Sequence, residues 1–294
     1  MAEQIIYIDG EYLPKSKAVI SVFDHGFLYG DGVFEGIRAY NGYVFKLKEH
    51  IDRLYESAKT MMLDVQMKKS VMGEAVIGTL KRNNLRDAYI RLIVTRGVGD
   101  LGLDPRKCPK SSVIVIAGTI SLMSKEAAEN GIKTLITWVR RDPIDGTSHE
   151  TKSLNYLNSI LAKIEANNVG ADEAIFLNPQ GYVCEGTAEN LFVIKNGNAL
   201  TPPTYTGALP GITQVAVIEI ASKMGIKVQS RPITAHELFN ADEVFFTGTA
   251  AEIIPVASIN GRVIGGGKAG EVTKKLRREF AKYAADPANG TPCA

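Results

Sequence analysis

The chain has 294 residues, of which 45% are hydrophobic and 22% are charged, and its formal net charge is +2. These values are typical of a globular protein with one large or two moderate domains. The small net charge argues against nucleic acid or a membrane surface as a partner. No stretch approaches the ~18 apolar residues that a membrane-spanning helix needs. The N-terminus also lacks the pattern of a signal peptide.

The cysteines and histidines predict neither disulfides nor a metal site. Three cysteines occur at wide spacing, at positions 108, 184 and 293. This spacing matches no disulfide framework and no zinc motif, which favours a reducing compartment. The four histidines are scattered along the chain, so we expect no metal.

The first part of the sequence is typical of short strands that surround two helices. A strand over 5–8 is followed by an Asp-Gly turn, and strands over 33–40 and 43–45 are joined by Asn41-Gly42. Asn-Gly suits the positive φ angles of a type I′ hairpin turn. Apolar spacing predicts helices over 48–59 and 68–82 and strands over 88–94 and 111–117. Residues 97–109 are predicted to form a loop rich in glycine and proline.

The pattern restarts after a predicted linker at 119–130, with a strand over 133–139. A helix is predicted to begin at Lys152, with Leu157, Ile160, Leu161 and Ile164 in one apolar stripe. Further predicted strands cover 174–177, 182–185, 190–194, 199–201 and 243–247, further helices cover 212–224 and 272–283, and 286–294 is predicted to be a frayed tail. Hairpins with helices between them favour two α+β domains, a small one over 1–118 and a large one over 131–294 that carries Lys152.

A lysine and a glutamate are the first candidates for chemistry. Lys152 stands among small polar residues beside the apolar stripe. A partly desolvated lysine loses its proton more readily and can form a Schiff base. Glu185 closes an apolar strand. At this position a carboxylate could pair with the pyridine nitrogen of a bound cofactor and keep that nitrogen protonated. Glu189 is a supporting candidate for the same role. Taken alone, each of these charges is more often solvated, so the prediction depends on the other motifs.

Two turns with small residues are candidate phosphate sites. Residues 209–213, Leu-Pro-Gly-Ile-Thr, lead directly into an apolar helix. The free N–H groups and the dipole of a helix N-terminus favour an anion there. Thr213 would also serve as the N-cap of that helix, and both roles are compatible. Gly248-Thr249-Ala250 offers a second such turn.

Arginines near aromatic residues are candidates for binding carboxylates. Tyr89 and Arg91 lie on one face of a strand, because side chains alternate. Arg38 is placed similarly after Phe34 and Gly36. A guanidinium binds a carboxylate through two parallel hydrogen bonds. An arginine on a solvated strand surface is the alternative for each.

Together these motifs resemble the branched-chain amino-acid aminotransferases, which are fold-type IV pyridoxal-phosphate enzymes, over about residues 5–283. The most specific stretches are 33–38, 185–192, 209–213 and 248–252. The resemblance implies a two-domain α+β fold with pyridoxal 5'-phosphate in the inter-domain cleft. It also implies a cytoplasmic homodimer, or an assembly of dimers, whose substrate pocket a neighbouring subunit completes. The implied reaction is amino transfer between leucine, isoleucine or valine and 2-oxoglutarate.

The resemblance also assigns roles residue by residue. Lys152 is similar to the catalytic lysine that forms the Schiff base, Glu185 to the partner of the pyridine nitrogen, and Tyr156 to the hydroxyl that bonds the phenolic oxygen of the cofactor. The other cofactor-binding positions that it implies are Arg53, Leu209, Gly211, Ile212, Thr213, Gly248 and Thr249. The substrate-binding positions that it implies are Tyr29, Phe34, Gly36, Arg38, Tyr89, Arg91, Thr249 and Ala250.

Three alternatives stay open. The first is a D-amino-acid aminotransferase. Residues 153–155 separate Lys152 from Tyr156, and the D-amino-acid aminotransferases have a similar short spacing, whereas many bacterial relatives of the branched-chain family have one more residue there. A 4-amino-4-deoxychorismate lyase would share the fold but eliminate instead of transferring an amino group. A pyridoxal-phosphate-binding protein without turnover would need only the cofactor residues. The Tyr89 and Arg91 pair favours the branched-chain aminotransferase.

Overall fold

The computed structural model describes residues 3–119 and 125–293. The strands are β1 (Ile5–Ile8), β2 (Glu11–Pro14), β3 (Gly32–Tyr40), β4 (Tyr43–Phe45), β5 (Ala88–Thr95), β6 (Ser112–Gly118), β7 (Ile132–Arg140), β8 (Glu173–Leu177), β9 (Asn190–Lys195), β10 (Asn198–Thr201), β11 (Val228–Ser230), β12 (Glu243–Gly248), β13 (Glu252–Ile259), β14 (Arg262–Val263) and β15 (Gly290–Pro292). The α-helices are α1 (His25–Tyr29), α2 (Leu47–Thr60), α3 (Lys69–Arg82), α4 (Lys125–Asn130), α5 (Leu157–Asn168), α6 (Ile212–Lys223), α7 (Ala235–Phe239) and α8 (Glu271–Ala285).

The chain divides into two compact units. The described residues of unit 1 are 3–119, 151–155 and 283–293, and those of unit 2 are 125–150 and 156–282. The segment that carries Lys152 therefore belongs with unit 1, although the sequence pattern predicts it in the second domain. The domain boundaries themselves stay a prediction. Helix α4 occupies the end of the predicted linker, and residues 120–124 of that linker lie outside the described residues.

Unit 1 is built on one antiparallel sheet with the strand order β15-β4-β3-β5-β6-β1-β2. Helices α2 and α3 bury Leu54, Met72 and Leu80 in its hydrophobic core. The predicted hairpin is confirmed, because Asn41 and Gly42 join β3 to β4 with φ angles of 52° and 89°. Positive φ at both positions is the geometry of a type I′ turn.

Unit 2 is built on a mixed sheet with the order β11-β10-β9-β12-β13-β7-β8, and β14 pairs with β13. The pairs β10/β11, β13/β7 and β7/β8 are parallel, and the others are antiparallel. Leu191, Val244 and Phe246 lie in its core. The two sheets with their helices confirm the predicted α+β class. Strand β13 was missed because Pro255 interrupts its apolar pattern, and proline is rare inside strands.

Helix α5 begins later than predicted. It starts at Leu157, whereas Lys152 lies in a non-helical segment. The prediction that Lys152 opens the helix was wrong, because the backbone around Lys152 pairs with β3 instead. The apolar stripe of α5 is also exposed, and Ser159, Ala162 and Ala166 form the buried face. Small residues on that face let α5 lie close to β7 and β8.

The C-terminal segment is ordered, contrary to the predicted frayed tail. Residues 287–289 form a 3-10 turn, and β15 pairs antiparallel with β4. Cys293 is buried, and its N–H donates to the Gly42 carbonyl over 2.8 Å. The short length of this segment hid its pairing with a distant strand. The predicted strand over 182–185 was also wrong, because only single bridges form there.

Among the described residues, no helix combines the length and the apolar character that crossing a lipid bilayer would require.

Candidate active site

Lys152 is fixed in unit 1 by its own backbone. Its carbonyl accepts a hydrogen bond from Phe34 N over 3.0 Å, and Leu154 N donates to the Gly32 carbonyl over 2.9 Å. Lys152 N also donates to Ser57 Oγ on α2 over 3.0 Å. These bonds hold the segment against the first residues of β3. The main chain of Lys152 is therefore fixed on both sides.

The side chain of Lys152 is buried beside an aromatic ring. Only 9% of the residue is exposed, and Nζ lies 4.5 Å from the centroid of the Phe34 ring. A second charge at this ring is the Arg91 guanidinium, whose carbon lies 4.5 Å from the same centroid. The ring thus links the predicted catalytic lysine to one of the predicted carboxylate ligands.

Five of the predicted substrate residues of unit 1 lie on two paired strands. Gly36 is opposite Arg91 and Arg38 is opposite Tyr89 in the β3/β5 register. A Cβ on Gly36 would come within 2.3 Å of Tyr89 Oη, so glycine leaves the space that this hydroxyl fills. The Arg91 guanidinium lies 5.6 Å from the Tyr89 ring. The structure therefore brings Phe34, Gly36, Tyr89 and Arg91 together as one cluster.

Arg38 and Tyr29 have different surroundings. Arg38 is buried, with its guanidinium carbon 4.8 Å from the centroid of the Tyr40 ring. Tyr29 ends the short helix α1 and is 37% exposed. Its hydroxyl donates to the Leu101 carbonyl over 2.5 Å, and its ring stands edge-on to His25. Tyr29 thus secures the loop that follows β5.

Arg53 forms a buried ion pair with Glu35, a residue that the sequence analysis did not select. Arg53 Nε donates to Glu35 Oε1 and Nη2 donates to Oε2, both over 2.7 Å. Burial alone would raise the pKa of Glu35, but the Arg53 charge and the bonds from His50 lower that pKa to about 2. Glu35 is therefore ionised and holds the arginine in a fixed plane.

His50 completes this cluster in its neutral form. Burial lowers the pKa of His50, and the charges of Arg53 and Lys152 act in the same direction against the opposing effect of Glu35. Its Nδ1 lies 2.8 Å from Glu35 Oε2. An ionised carboxylate only accepts hydrogen bonds, so Nδ1 carries the proton.

Glu185 is a buried carboxylate of unit 2. Its Oε2 accepts hydrogen bonds from Leu209 N over 3.0 Å and from Asn190 Nδ2 over 3.2 Å. Its Oε1 lies 3.1 Å from Nη2 of Arg141, which is buried throughout. Arg141 lies outside the sequence motifs and had no predicted role. Only the structure shows that the buried charge of Arg141 lies next to the buried charge of Glu185.

Tyr156 lies at the start of α5, where it is the N-cap residue. Its ring stands edge-on to the ring of His149, with 6.0 Å between their centroids. His149 in turn lies 3.1 Å from Arg141 Nη1 through its Nε2. Tyr156 and Glu185 are thus connected through two residues of unit 2 that had no assigned role.

Helix α6 has the features of an anion site at its N-terminus. Gly211 is the N-cap and supplies no side-chain cap, and Thr213 lies inside the helix. The prediction of Thr213 as N-cap was therefore wrong. A Cβ on Gly211 would come within 1.8 Å of Asn190 Oδ1, so only glycine fits there. Asn190 also donates to the Leu209 carbonyl, which ties this turn to Glu185.

The second small-residue turn follows β12. Gly248 ends that strand, and Thr249 and Ala250 form the turn that leads to β13. The buried hydroxyl of Thr247, just before the turn, has no hydrogen-bond partner among the described residues. A buried polar group of this kind is normally satisfied, so it fits a region that binds a polar ligand.

Glu189, the supporting candidate, is half-buried and lies beside this turn. Burial, with the charge of Glu173, raises the pKa of Glu189 to about 8. Its carboxyl accepts a hydrogen bond from Ala188 N. These surroundings therefore favour the protonated form of Glu189.

Comparison with known proteins gives this arrangement its context. Residues 32–259 match the family model for amino-transferase class IV. The chain belongs to the class IV aminotransferases. A Methanocaldococcus jannaschii protein, provisionally named as a branched-chain amino-acid aminotransferase, is 56% identical over 275 residues that cover 94% of each chain.

Two solved structures of branched-chain aminotransferases are similar to this class IV aminotransferase over its full length. The T.th. enzyme, complexed with N-(5'-phosphopyridoxyl)-L-glutamate, is 36% identical with a TM-score of 0.94, and all of both chains is covered. The enzyme from the archaeon Thermoproteus uzoniensis, solved with norvaline, is 37% identical, again with a TM-score of 0.94 and full coverage of both chains. The predicted fold type IV is confirmed by these likenesses.

The residues of this aminotransferase fit pyridoxal phosphate chemically. Glu185 offers a carboxylate to a protonated pyridine nitrogen, and the N-terminus of α6 offers N–H groups to a phosphate. The glycine at position 211 keeps the entrance to that helix free of a side chain. Lys152 supplies a buried amine. The ligand roles of the individual residues stay a prediction.

Replacing Glu35 by Gln should weaken the fold in a pH-dependent way. The pKa of Glu35 is about 2 in the folded chain and lies below its usual value of 4.5. Its contribution is therefore complete above pH ~4.5 and is lost as the pH falls towards ~2. This shift corresponds to about 3 kcal/mol. Urea unfolding should show Glu35→Gln to be destabilised near neutral pH, with a smaller further loss on acidification than the wild type shows.

A matched control is the surface pair Asp104 and Arg106, which lowers the pKa of Asp104 to about 2 as well. Solvent screening weakens exposed pairs, so Asp104→Asn should leave the unfolding midpoint nearly unchanged. Equal pH profiles for Glu35→Gln and the wild type would contradict the buried-pair interpretation.

Proposed function

We propose that this class IV aminotransferase transfers amino groups between the branched-chain L-amino acids and 2-oxoglutarate, with pyridoxal 5'-phosphate as its cofactor. The observation that carries the proposal is the full-length likeness to branched-chain aminotransferases, at a TM-score of 0.94. The ligands of those relatives support it. One complex joins the phosphopyridoxyl group to glutamate, and the same T.th. enzyme also binds 4-methylvaleric acid, which has the carbon skeleton of leucine.

The cluster on β3 and β5 suits both kinds of substrate. The Phe34 ring and the ring of Tyr89 offer apolar surface to a branched side chain. Arg91 and the hydroxyl of Tyr89 can bind the second carboxylate of glutamate or 2-oxoglutarate. Both groups lie on the same side of β5. We infer that one cluster therefore serves the amino donor and the amino acceptor in turn.

Lys152 is the proposed covalent attachment point and proton carrier. When bound, pyridoxal phosphate supplies an electron sink that stabilises negative charge at the substrate α-carbon. Once the substrate amine has replaced it on the cofactor, Lys152 Nζ would take the proton from that carbon and return it to the cofactor carbon. Its fixed backbone limits the positions that Nζ can reach. Glu185 holds a proton on the pyridine nitrogen, which keeps the ring able to accept charge.

The remaining residues hold the cofactor in place. Arg53, kept in plane by Glu35, is proposed to bind the phosphate together with the N–H groups of Ile212, Thr213 and Thr249. Tyr156 is proposed to donate its hydroxyl to the phenolic oxygen. Leu209 is proposed to pack against the ring.

The enzyme is further proposed to act as a homodimer, or an assembly of dimers, in the cytoplasm. Leu157 on α5 is 67% exposed, and Trp138 on the adjoining strand β7 is 73% exposed. Exposed large apolar side chains on adjoining elements favour burial against another protein surface. The free thiols of Cys108, Cys184 and Cys293 are compatible with a reducing compartment.

The first test is the visible absorbance of the purified protein after incubation with pyridoxal phosphate. A yellow band should appear, bleach on addition of L-leucine and return with 2-oxoglutarate. Because one product leaves before the second substrate binds, double-reciprocal plots of the initial rate, taken at several concentrations of the second substrate, should be parallel. Bleaching by D-alanine in place of L-leucine would favour the D-amino-acid aminotransferase, for which the short spacing from Lys152 to Tyr156 is the supporting observation. A protein without any band would contradict the proposal.

Replacing Lys152 by Ala should abolish transamination while the fold is kept. The variant loses the proposed proton carrier, so kcat should fall by at least ~10³-fold, a loss within the 10²–10⁴-fold share that a general base usually supplies. Circular dichroism should match the wild type. Lys59→Ala, on the exposed part of α2, is the control and should keep full activity. Substantial turnover by Lys152→Ala would show that another lysine acts.

Charged substitutions on α5 should disturb the assembly. Leu157→Glu and Ile164→Glu place charges on its exposed apolar stripe, which a subunit contact would desolvate at high cost. Light scattering after size exclusion should show a smaller particle than the wild-type protein. Val263→Glu changes an exposed apolar residue on the short strand β14 and should leave the mass unchanged. A wild-type protein that is monomeric would contradict the proposed dimer.

A further inference from the structure

We propose that Arg141 is a positioning residue, which keeps Glu185 ionised and oriented so that this carboxylate can hold a proton on the pyridine nitrogen of the cofactor. The inference rests on the proposed function and adds a residue that neither the motifs nor the resemblance had assigned. Arg141 follows directly after the end of β7. Its guanidinium points at the carboxylate on which the electronic role of the cofactor depends.

The geometry places the positive charge of Arg141 on one oxygen of Glu185. Nη2 lies 3.1 Å from Oε1 and also donates to the Gly186 carbonyl over 2.9 Å. The neutral donors Leu209 N and Asn190 Nδ2 bond to the other oxygen, Oε2. Oε1 and Oε2 therefore have different partners, and the plane of the carboxylate is fixed. A carboxylate held in this way cannot turn away from its ligand without breaking several bonds.

Burial makes the charge of Arg141 decisive. Arg141 is 1% exposed and Glu185 is 5% exposed. A buried carboxylate without a countercharge is costly and takes up a proton instead. A guanidinium does not lose its proton in proteins, so Arg141 is a permanent cation. Arg141 thus favours the ionised form of Glu185, and the proton is left for the pyridine nitrogen.

The fold makes specific room for this arginine. The Phe176 ring lies under the guanidinium, with 3.7 Å from the guanidinium carbon to the ring centroid. Gly207 has a φ of 105°, and a Cβ at this position would come within 2.8 Å of Arg141 Cγ. A side chain at 207 would therefore both strain the backbone and displace the arginine stem. These contacts hold the guanidinium flat against its partners.

The neighbouring titratable groups leave Glu185 as the charge that Arg141 balances. Burial, with the charge of Glu185, raises the pKa of the Cys184 thiol to about 12, so Cys184 is neutral. Burial and the charge of Glu173 raise the pKa of Glu189, which favours its neutral form as well. On its other side Arg141 meets His149, which is 3.1 Å from Asp142 Oδ2. The Asp142 side chain is 35% exposed, so solvent screens its charge, whereas Glu185 is buried.

Reconstitution with 15N-labelled pyridoxal phosphate tests the inference without relying on turnover. The 15N chemical shift reports whether the pyridine nitrogen of the bound cofactor is protonated. The wild type should show the protonated shift. Arg141→Met keeps the length of the stem but removes the charge, and should move the shift to that of a neutral pyridine. Arg141→Lys retains a cation and should keep the protonated shift, with weaker cofactor binding.

Kinetics provide the second readout. Arg141→Met should lower kcat by roughly 10- to 100-fold, as is usual when a partner that tunes a ligand is removed. In a Glu185→Gln background the same change should cost almost nothing further, because Arg141 acts through Glu185. Fully additive losses, or a protonated shift in Arg141→Met, would overturn the inference.

The possible failures can be told apart. If the wild type binds no pyridoxal phosphate or ignores L-leucine, the proposed function fails. If the wild type behaves as proposed but the shift does not respond to residue 141, only the role of Arg141 fails. If Arg141→Met does not fold, Arg141→Lys decides, because a neutral pyridine nitrogen in that variant would contradict charge as the cause.

Discussion

The position of Lys152 depends on a short stretch of strand pairing outside the regular sheet. Strand β3 runs from Gly32 to Tyr40, whereas its neighbour β4 covers residues 43–45 and pairs only with the end of β3. The beginning of β3 is therefore left with an open edge, and the segment around Lys152 pairs with it through Phe34 N and Leu154 N. The Lys152 segment can therefore pair with β3 only because β4 is short. An extended β4 would occupy the edge on which the lysine is held.

Within the part of the chain that the structure describes, two buried glutamates meet arginines, and the two pairs differ in a way that suits different tasks. Glu35 engages Arg53 through both of its oxygens, so its carboxylate is devoted to orienting the arginine. Glu185 meets Arg141 through one oxygen and neutral N–H donors through the other. The first pair is a rigid support for a cation that is proposed to bind phosphate. The second pair supports an anion, the Glu185 carboxylate, which is proposed to contact the pyridine nitrogen of the cofactor. In both, removal of one partner would leave a buried charge, which costs about 3–5 kcal/mol.

Local patterns in the sequence predicted the features that local physics decides. The Asn41-Gly42 hairpin follows from the φ angles that these residues tolerate, and the shared face of Tyr89 and Arg91 follows from the alternation of a strand. The late start of α5 could not be predicted in this way. The backbone of Lys152 could form helical bonds or pair with β3, and only the fold brings β3 within reach. The same holds for β15, which is too short to be recognised without its partner β4.

The residues that tune the site were missed for a more general reason. A buried carboxylate needs a partner, so a buried Glu185 implies a donor or a cation in its neighbourhood. The chain has 34 lysines and arginines, and nothing in the local sequence of Arg141 separates it from the others. Two features of the fold place Arg141 next to Glu185. Strand β7 ends beside Glu185, and Gly207 leaves room for the arginine stem. Motifs therefore identify the groups that are proposed to touch the cofactor, because those groups need a particular local backbone. The charges that govern these groups need only proximity, and the packed fold supplies it from elsewhere in the chain.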